Sequence, residues 1–171
     1  MKQSEQKKET HTPLDLHLHS NCSDGSDTPE EVVRAATARG LTLIALTDHD
    51  NVGGVPAAMN AAENSGIRLL PSIEMDAEWP HEMHILGLDI DLDEPRMKDA
   101  LAVAFRRRGA RNREIVERLI RIGCDVRPYF EGDIAAATRL NIALALVKGK
   151  FAADTREAFA KYLRKGCPGF Y

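Results

Sequence analysis

A chain of 171 residues with 43% apolar and 29% charged side chains is long enough to bury one substantial core, and its composition excludes a disordered or fibrous protein. A formal net charge of -3 excludes a general positive field for nucleic acid or anionic lipid, so an anionic substrate has to be bound by local groups. Cys22, Cys124 and Cys167 form no paired motif, which argues against a disulfide framework and for a reducing, cytoplasmic compartment. The first residues, MKQSEQKKETHTP, lack an apolar signal-peptide region, and residues 1–13 are expected to form a disordered leader.

"PLDLHLH" alternates, with Leu14, Leu16 and Leu18 on one face and Asp15, His17 and His19 on the other, as in a strand. In "TPEEVVRAATARG", Thr28 and Glu31 form a capping box, Pro29 sits in the first turn and Gly40 closes a helix. "LTLIALTDHDN" reads as a buried strand ending in a polar turn. "VPAAMNAAENSG" reads as a helix ending at Gly66, "IRLLPSIEM" as a third strand and "MHILGLDIDLD" as a fourth. This alternation predicts a parallel sheet with crossover helices over residues 14–94. Residues 95–171 read as helical: one long helix to about Ile122 with Leu101, Phe105, Ile115 and Leu119 on one face, then further helices from Ile134 to Leu163 broken near "KGKFAADT".

Strand ends collect the chemistry. His17 and His19 close the first strand, Asp24 lies in the turn behind it, Asp48, His49 and Asp50 follow the second, and Glu74 ends the third. In an α/β fold these positions share one edge of the sheet. His84 fits less well, because it begins its strand. Imidazole nitrogen with carboxylate oxygen suits zinc, manganese or iron, and Glu74, with two oxygens, can bridge two ions. Bridged ions suit phosphoester hydrolysis.

Other polar residues have plainer readings. Glu30 and Glu31 serve the helix cap, and Asp89, Asp91 and Asp93 alternate as the wet face of an edge strand. His11 belongs to the leader, His81 to a loop, and Gly53 and Gly54 to a turn without a phosphate-loop lysine.

The segments "DLHLHSNCSDG", "ALTDHDNVGG", "LLPSIEM" and "HEMHILGLDID" resemble, in order, the successive motifs of the PHP (polymerase and histidinol phosphatase) superfamily. The branch they resemble is the small metal-dependent phosphoesterases, which includes nucleoside 3′,5′-bisphosphate phosphatases that also trim short oligoribonucleotides. The resemblance runs from about Leu14 to Tyr171. It implies an α/β fold: the N-terminal part of a distorted (β/α)7 barrel, followed from Pro95 by a helical insertion subdomain that roofs the substrate. It further implies two or three divalent metal ions, manganese first, with zinc or iron as alternatives. His17 and His19 would bind the first metal, Glu74 would bridge it to the second, His84 would belong to the second, and Asp24 and His49 to a third.

Two departures qualify that expectation. The family pattern continues with another histidine and a late Asp-x-His pair, whereas no histidine follows His84 here. The family's Arg-Pro-His in the insertion is matched by Arg139, Leu140 and Asn141. The expected function is therefore hydrolysis of phosphate monoesters of nucleotides or short oligonucleotides by a metal-activated water, with no side-chain nucleophile. The alternatives are a truncated or degenerate chain with an incomplete metal site and no activity, or a barrel completed by a second chain.

Seven arginines lie between Arg106 and Arg121. Arg107, Arg111 and Arg118 read as a solvated helix face, whereas Arg108 and Asn112 fall on the apolar stripe. A guanidinium facing inward needs an anionic partner, so Arg108 is expected to clamp a substrate phosphate, with Arg139 as a second candidate.

Overall fold

The computed structural model describes residues 13–77, 83–130 and 132–171. The leader with His11, and His81, lie outside the described residues. β1 (Leu14–Leu18), α1 (Pro29–Ala38), β2 (Leu43–Leu46), α2 (Val55–Ser65) and β3 (Arg68–Pro71) form two successive right-length β/α units, and the three strands pair in parallel in the order β1-β2-β3. α1 starts where its sequence dictates. The Thr28 hydroxyl accepts from the Glu31 amide at 3.3 Å, and the Glu31 carboxylate accepts from the Thr28 amide at 2.9 Å. α2 stops at Gly66, whose φ of 72° is the left-handed cap a glycine adopts without steric cost. Val33 and Ala36 of α1 and Ala58 and Ala62 of α2 bury against Ile44 and Leu46 of β2, which makes the core of this half.

The run "IRLLPSIEM" is two strands, because pairing changes partner at Ser72. β3 stays parallel to β2 as far as Pro71, and β4 (Ile73–Ala77) instead pairs with β5 (Met83–Gly87). That second pairing is antiparallel, with Glu74 opposite Leu86 and Asp76 opposite His84. The expected all-parallel sheet is therefore corrected, and the position of His84 is explained. The beginning of an antiparallel strand lies at the same edge as the end of its partner. β5 also stops at Gly87, so Asp89, Asp91 and Asp93 are not the face of an edge strand. Asp89 has a φ of 55°, and the Asp91 carboxylate accepts from the Asp93 amide, which makes this segment a polar turn. Among the described residues the strands form a three-stranded and a two-stranded sheet, joined by a parallel bridge between His49 and Glu74, and do not close into a barrel.

The helical half consists of α3 (Pro95–Arg121), a 3-10 turn (Arg127–Tyr129), α4 (Arg139–Lys148), α5 (Thr155–Ala158) and a π turn over Phe159–Leu163. Its core is Ile115, Leu119, Val126, Ile142, Leu146 and Leu163. The apolar stripe of α3 is shorter than its periodicity implies. Phe105 is 47% exposed, Leu101 is only half-buried, and the fully buried face begins at Arg108. Thr138 and Asn141 cap α4 reciprocally, with the Asn141 side chain accepting from the Thr138 amide at 2.7 Å. Asn141, one of the two family departures, thus has a local structural task.

Candidate metal centre

The tail of β2 carries the site. Beyond Leu46 the chain runs alongside β4: the Asp50 amide donates to the Glu74 carbonyl at 2.8 Å and the Glu74 amide to the Asp48 carbonyl at 3.2 Å, which puts His49 beside Glu74. The end of β1 supplies His17 and His19, the turn after it supplies Asp24, and β5 supplies His84. That turn is tight. A Cβ at Gly25 would stand 2.5 Å from the His19 carbonyl oxygen, so only glycine lets the chain double back behind the histidines.

Glu74, only 3% exposed, is the hub. Its Oε2 lies 2.9 Å from His17 Nε2, 3.1 Å from His19 Nε2 and 3.7 Å from His49 Nε2, and its Oε1 lies 2.8 Å from His84 Nδ1. Asp24 adds oxygens 3.4 Å from His19 Nδ1 and 3.6 Å from His49 Nε2. The four rings follow one another at centroid separations of 5.1, 4.9 and 4.9 Å. All six residues singled out in the sequence (His17, His19, Asp24, His49, Glu74 and His84) therefore meet in one cluster. The donor atoms fall into groups His17/His19/Glu74, His19/Asp24/His49 and His49/Asp76/His84, each within 4.8 Å.

Asp76 is the member that sequence reasoning missed, although its spacing of two from Glu74 on the same strand face was a usable signal. Its Oδ1 lies 3.5 Å from His49 Nδ1 and 3.4 Å from His84 Nε2. Burial alone would raise the Asp76 carboxyl, yet the neighbouring His49, Arg108 and Arg111 hold it well below the ordinary carboxylate range. Burial is also the largest influence on Glu74, and there the His17 hydrogen bond and the surrounding imidazoles outweigh it and lower the carboxyl. His19 is pushed down, chiefly by burial, which favours the neutral ring that offers a lone pair. His49 goes the other way, since Asp76, Asp24 and Glu74 together overcome its burial. Mixed imidazole and carboxylate donors converging on one carboxylate hub fit a group of hard to borderline divalent ions.

A second layer fixes the first. Asp48, 1% exposed, accepts from the Ser20 amide at 2.8 Å, the Ser20 hydroxyl at 2.6 Å and the Ser23 hydroxyl at 2.6 Å, which ties the Asp24 turn to β2. Asp50 has a φ of 47°, in the left-handed region that Asp tolerates better than most residues, and its carboxylate accepts from the Asp76 amide at 3.0 Å.

Arg108 is buried, as its place on the stripe requires, and its anionic partners lie within the protein. Its Nε and Nη2 both donate to Asp50 Oδ2, the former at 3.1 Å, and Nη2 donates to Asp76 Oδ2 at 3.0 Å. Arg111 is not part of a solvated face, because its Nη1 donates to the same Asp76 oxygen at 3.2 Å. Arg107 is exposed, and Arg118 turns to the carbonyl of Phe170 and the ring of Tyr171. Arg139, at the start of α4, donates to the Tyr171 carbonyl at 3.0 Å and lies over the Phe170 ring. A cleft of about 150 Å³ separates the two halves, with Asp24, His49 and His84 on one wall and Arg108, Arg111 and Arg139 on the other.

The chain is similar to known proteins over most of its length. The chain is 39% identical over 164 residues to a 5′-3′ exoribonuclease Rnm of Salmonella typhimurium, and 38% identical over 164 residues to a 3′,5′-nucleoside bisphosphate phosphatase of Chromobacterium violaceum. These matches cover 91% and 92% of this chain but 55% and 57% of the relatives, so the chain spans little more than half their length. A solved structure of an amidohydrolase from Chromobacterium violaceum, with bound sulfate and no metal, superposes with a TM-score of 0.83 at 36% identity, over 92% of this chain and 57% of that one. The model of the PHP domain matches residues 15–133, most of the β/α half and all of α3, and the chain belongs to the PHP-domain family.

Proposed function

We propose that this chain forms the metal-binding floor and the substrate-facing roof of a metal-dependent phosphoesterase acting on phosphate monoesters of nucleotides or short oligonucleotides. The observation that carries the reading is the cleft, where His49, His84, Asp24 and Asp76 of the imidazole–carboxylate cluster meet three guanidinium groups. The names of the relatives, an exoribonuclease and a bisphosphate phosphatase, support nucleotide phosphates as the substrate class.

The residues divide by role. His17 and His19 with Glu74 would hold a first divalent ion, Glu74 with His84 a second, and Asp24 with His49 a third. Two or three ions are proposed, manganese first, with zinc or iron as alternatives. Bound there, the ions would lower the pKa of water toward neutrality and offset charge building on phosphorus. Glu74 keeps its two oxygens turned to different histidines, Oε2 to the β1 pair and Oε1 to His84, which is the posture bridging demands. Arg139 and Arg108, joined by Arg111, would orient the phosphate. For Arg108 this action is by charge, since its Nε and Nη2 are engaged by Asp50 and Asp76. No serine or cysteine nucleophile is assigned.

Residues 14–94 supply the floor and residues 95–171 the roof. No described helix is long and apolar enough to cross a membrane; the cytoplasmic location is proposed from the three cysteines, which form no disulfide-type motif. One observation favours a second reading, in which the chain binds metal weakly and is inactive by itself. Among the described residues β5 exposes Ile85 and Leu86 at the edge of its two-stranded sheet, where a further chain would pair in this reading. The test is manganese-dependent phosphate release from a nucleoside 3′,5′-bisphosphate by the purified chain. Release at least about tenfold above a His17→Ala control supports the first reading. Release equal to the control, in a chain that still folds, overturns it in favour of the second.

A further inference from the structure

Each neutral imidazole has one lone pair, so only one of its nitrogens can face a metal while the other carries a proton that needs an acceptor. At His49 the two nitrogens face different groups. Nε2 points to Asp24 at 3.6 Å and Glu74 at 3.7 Å, whereas Nδ1 is buried, makes no hydrogen bond among the described residues and lies 3.5 Å from Asp76 Oδ1. Asp76 in turn is not free to swing. Its Oδ2 accepts from Arg108 at 3.0 Å and from Arg111 at 3.2 Å, and its backbone amide is held by Asp50, which also engages Arg108. Both arginines belong to α3, so the chain of contacts runs from the helical half to one ring of the metal centre.

We propose that Asp76 is a positioning residue: its Oδ1 accepts the Nδ1 proton of His49 and turns Nε2 toward the metal group, while Arg108 and Arg111 clamp its Oδ2, so that α3 governs how firmly the centre binds. This inference rests on the metal-binding reading above, and it assigns Asp76 to orientation where its place beside His49 and His84 would also allow direct ligation.

Asp76→Asn preserves shape and removes the charge, and Arg111→Ala removes one clamp at the edge of the cleft. Manganese titration calorimetry of the full 171-residue chain reads affinity and stoichiometry. Nitrogen-resolved NMR of the histidine rings in the metal-free chain reads which nitrogen of His49 carries the proton. Asp76→Asn is expected to lower affinity about 10- to 100-fold with the number of ions unchanged, as for other outer carboxylates, and Arg111→Ala to lower it less. In the wild-type metal-free chain His49 is expected as the Nδ1–H tautomer, and Asp76→Asn should shift it toward Nε2–H. Unchanged affinity in Asp76→Asn, or loss of a whole ion from the stoichiometry, would overturn the positioning role. A metal-free His49 with the same tautomer in both proteins would overturn it as well, even if the wild type bound no manganese. Absence of wild-type binding alone would count against the proposed function instead.

Discussion

The two halves bury polar groups in opposite ways. In the β/α half, Ser20, Asp48 and Glu74 lie at strand ends and are satisfied by neighbours on adjoining strands and turns. In the helical half, Arg108 and Asn112 project from the middle of one long helix and reach partners far away in sequence. Asn112 donates from one nitrogen to the carbonyls of Ile134 and Ala137, both at 2.7 Å, and so pins the approach to α4. Strand ends come into register through the sheet itself, whereas a polar residue on a helix stripe depends on what packs over it. The first half is organised around a site, and the second is organised around its own core and lends the site a few side chains.

That contrast can be tested by separating the halves energetically. Leu146→Ala, at a fully buried position of the helical core, is expected to cost about 2–5 kcal/mol in chemical denaturation. If the halves are as distinct as their cores, the folded fraction should keep its manganese affinity, and a parallel loss would show that they fold as one unit. Glu74→Gln should do the reverse, lowering manganese affinity more than about 100-fold by calorimetry, beyond the range for outer-layer groups, with a smaller change in stability. Asn112→Ala should cost about 1–3 kcal/mol, because the buried Ala137 carbonyl loses its side-chain donor while the Ile134 carbonyl keeps only the Ala137 amide, and the loss should appear in the same denaturation assay without a change in metal stoichiometry. The smallest effect is expected at Thr28→Ala, about 1 kcal/mol from the lost α1 cap, measured as a shift in the denaturation midpoint.

Much of the site was readable because its members recur at the ends of successive strands. His17, His19, Asp24 and His49 needed only the alternation of elements to be placed on one edge; Glu74, expected to end the third strand, instead begins β4 and reaches that edge through its bridge to His49. His84 did not follow, since an alternating strand looks the same whether it runs parallel or antiparallel. The signal was in the spacing: five residues between Ala77 and Met83 are too few for a parallel crossover, which takes a dozen or more. The break at Ser72 was hidden for a different reason, because a change of hydrogen-bonding partner leaves the apolar pattern intact. In α3 the periodicity turned Arg108 inward and called for an anionic partner, which was expected to be a substrate phosphate; in the fold Asp50 and Asp76, 58 and 32 residues earlier, take its Nε and Nη2. Arg111 was placed with the solvated arginines because one-helix geometry cannot see that β4 stands opposite it.

The hairpin-tight passage behind the β1 histidines has a consequence for how this sequence can vary. Gly25 follows Asp24 directly, and any side chain there would collide with the backbone of His19 and Ser20 rather than with a movable group. In a library selected only for a folded, soluble chain, position 25 should tolerate almost no replacement, while its exposed neighbour Ser26 should accept many. An alanine at 25 would reach the metal centre through the main chain, so its damage should not be rescued by raising the manganese concentration.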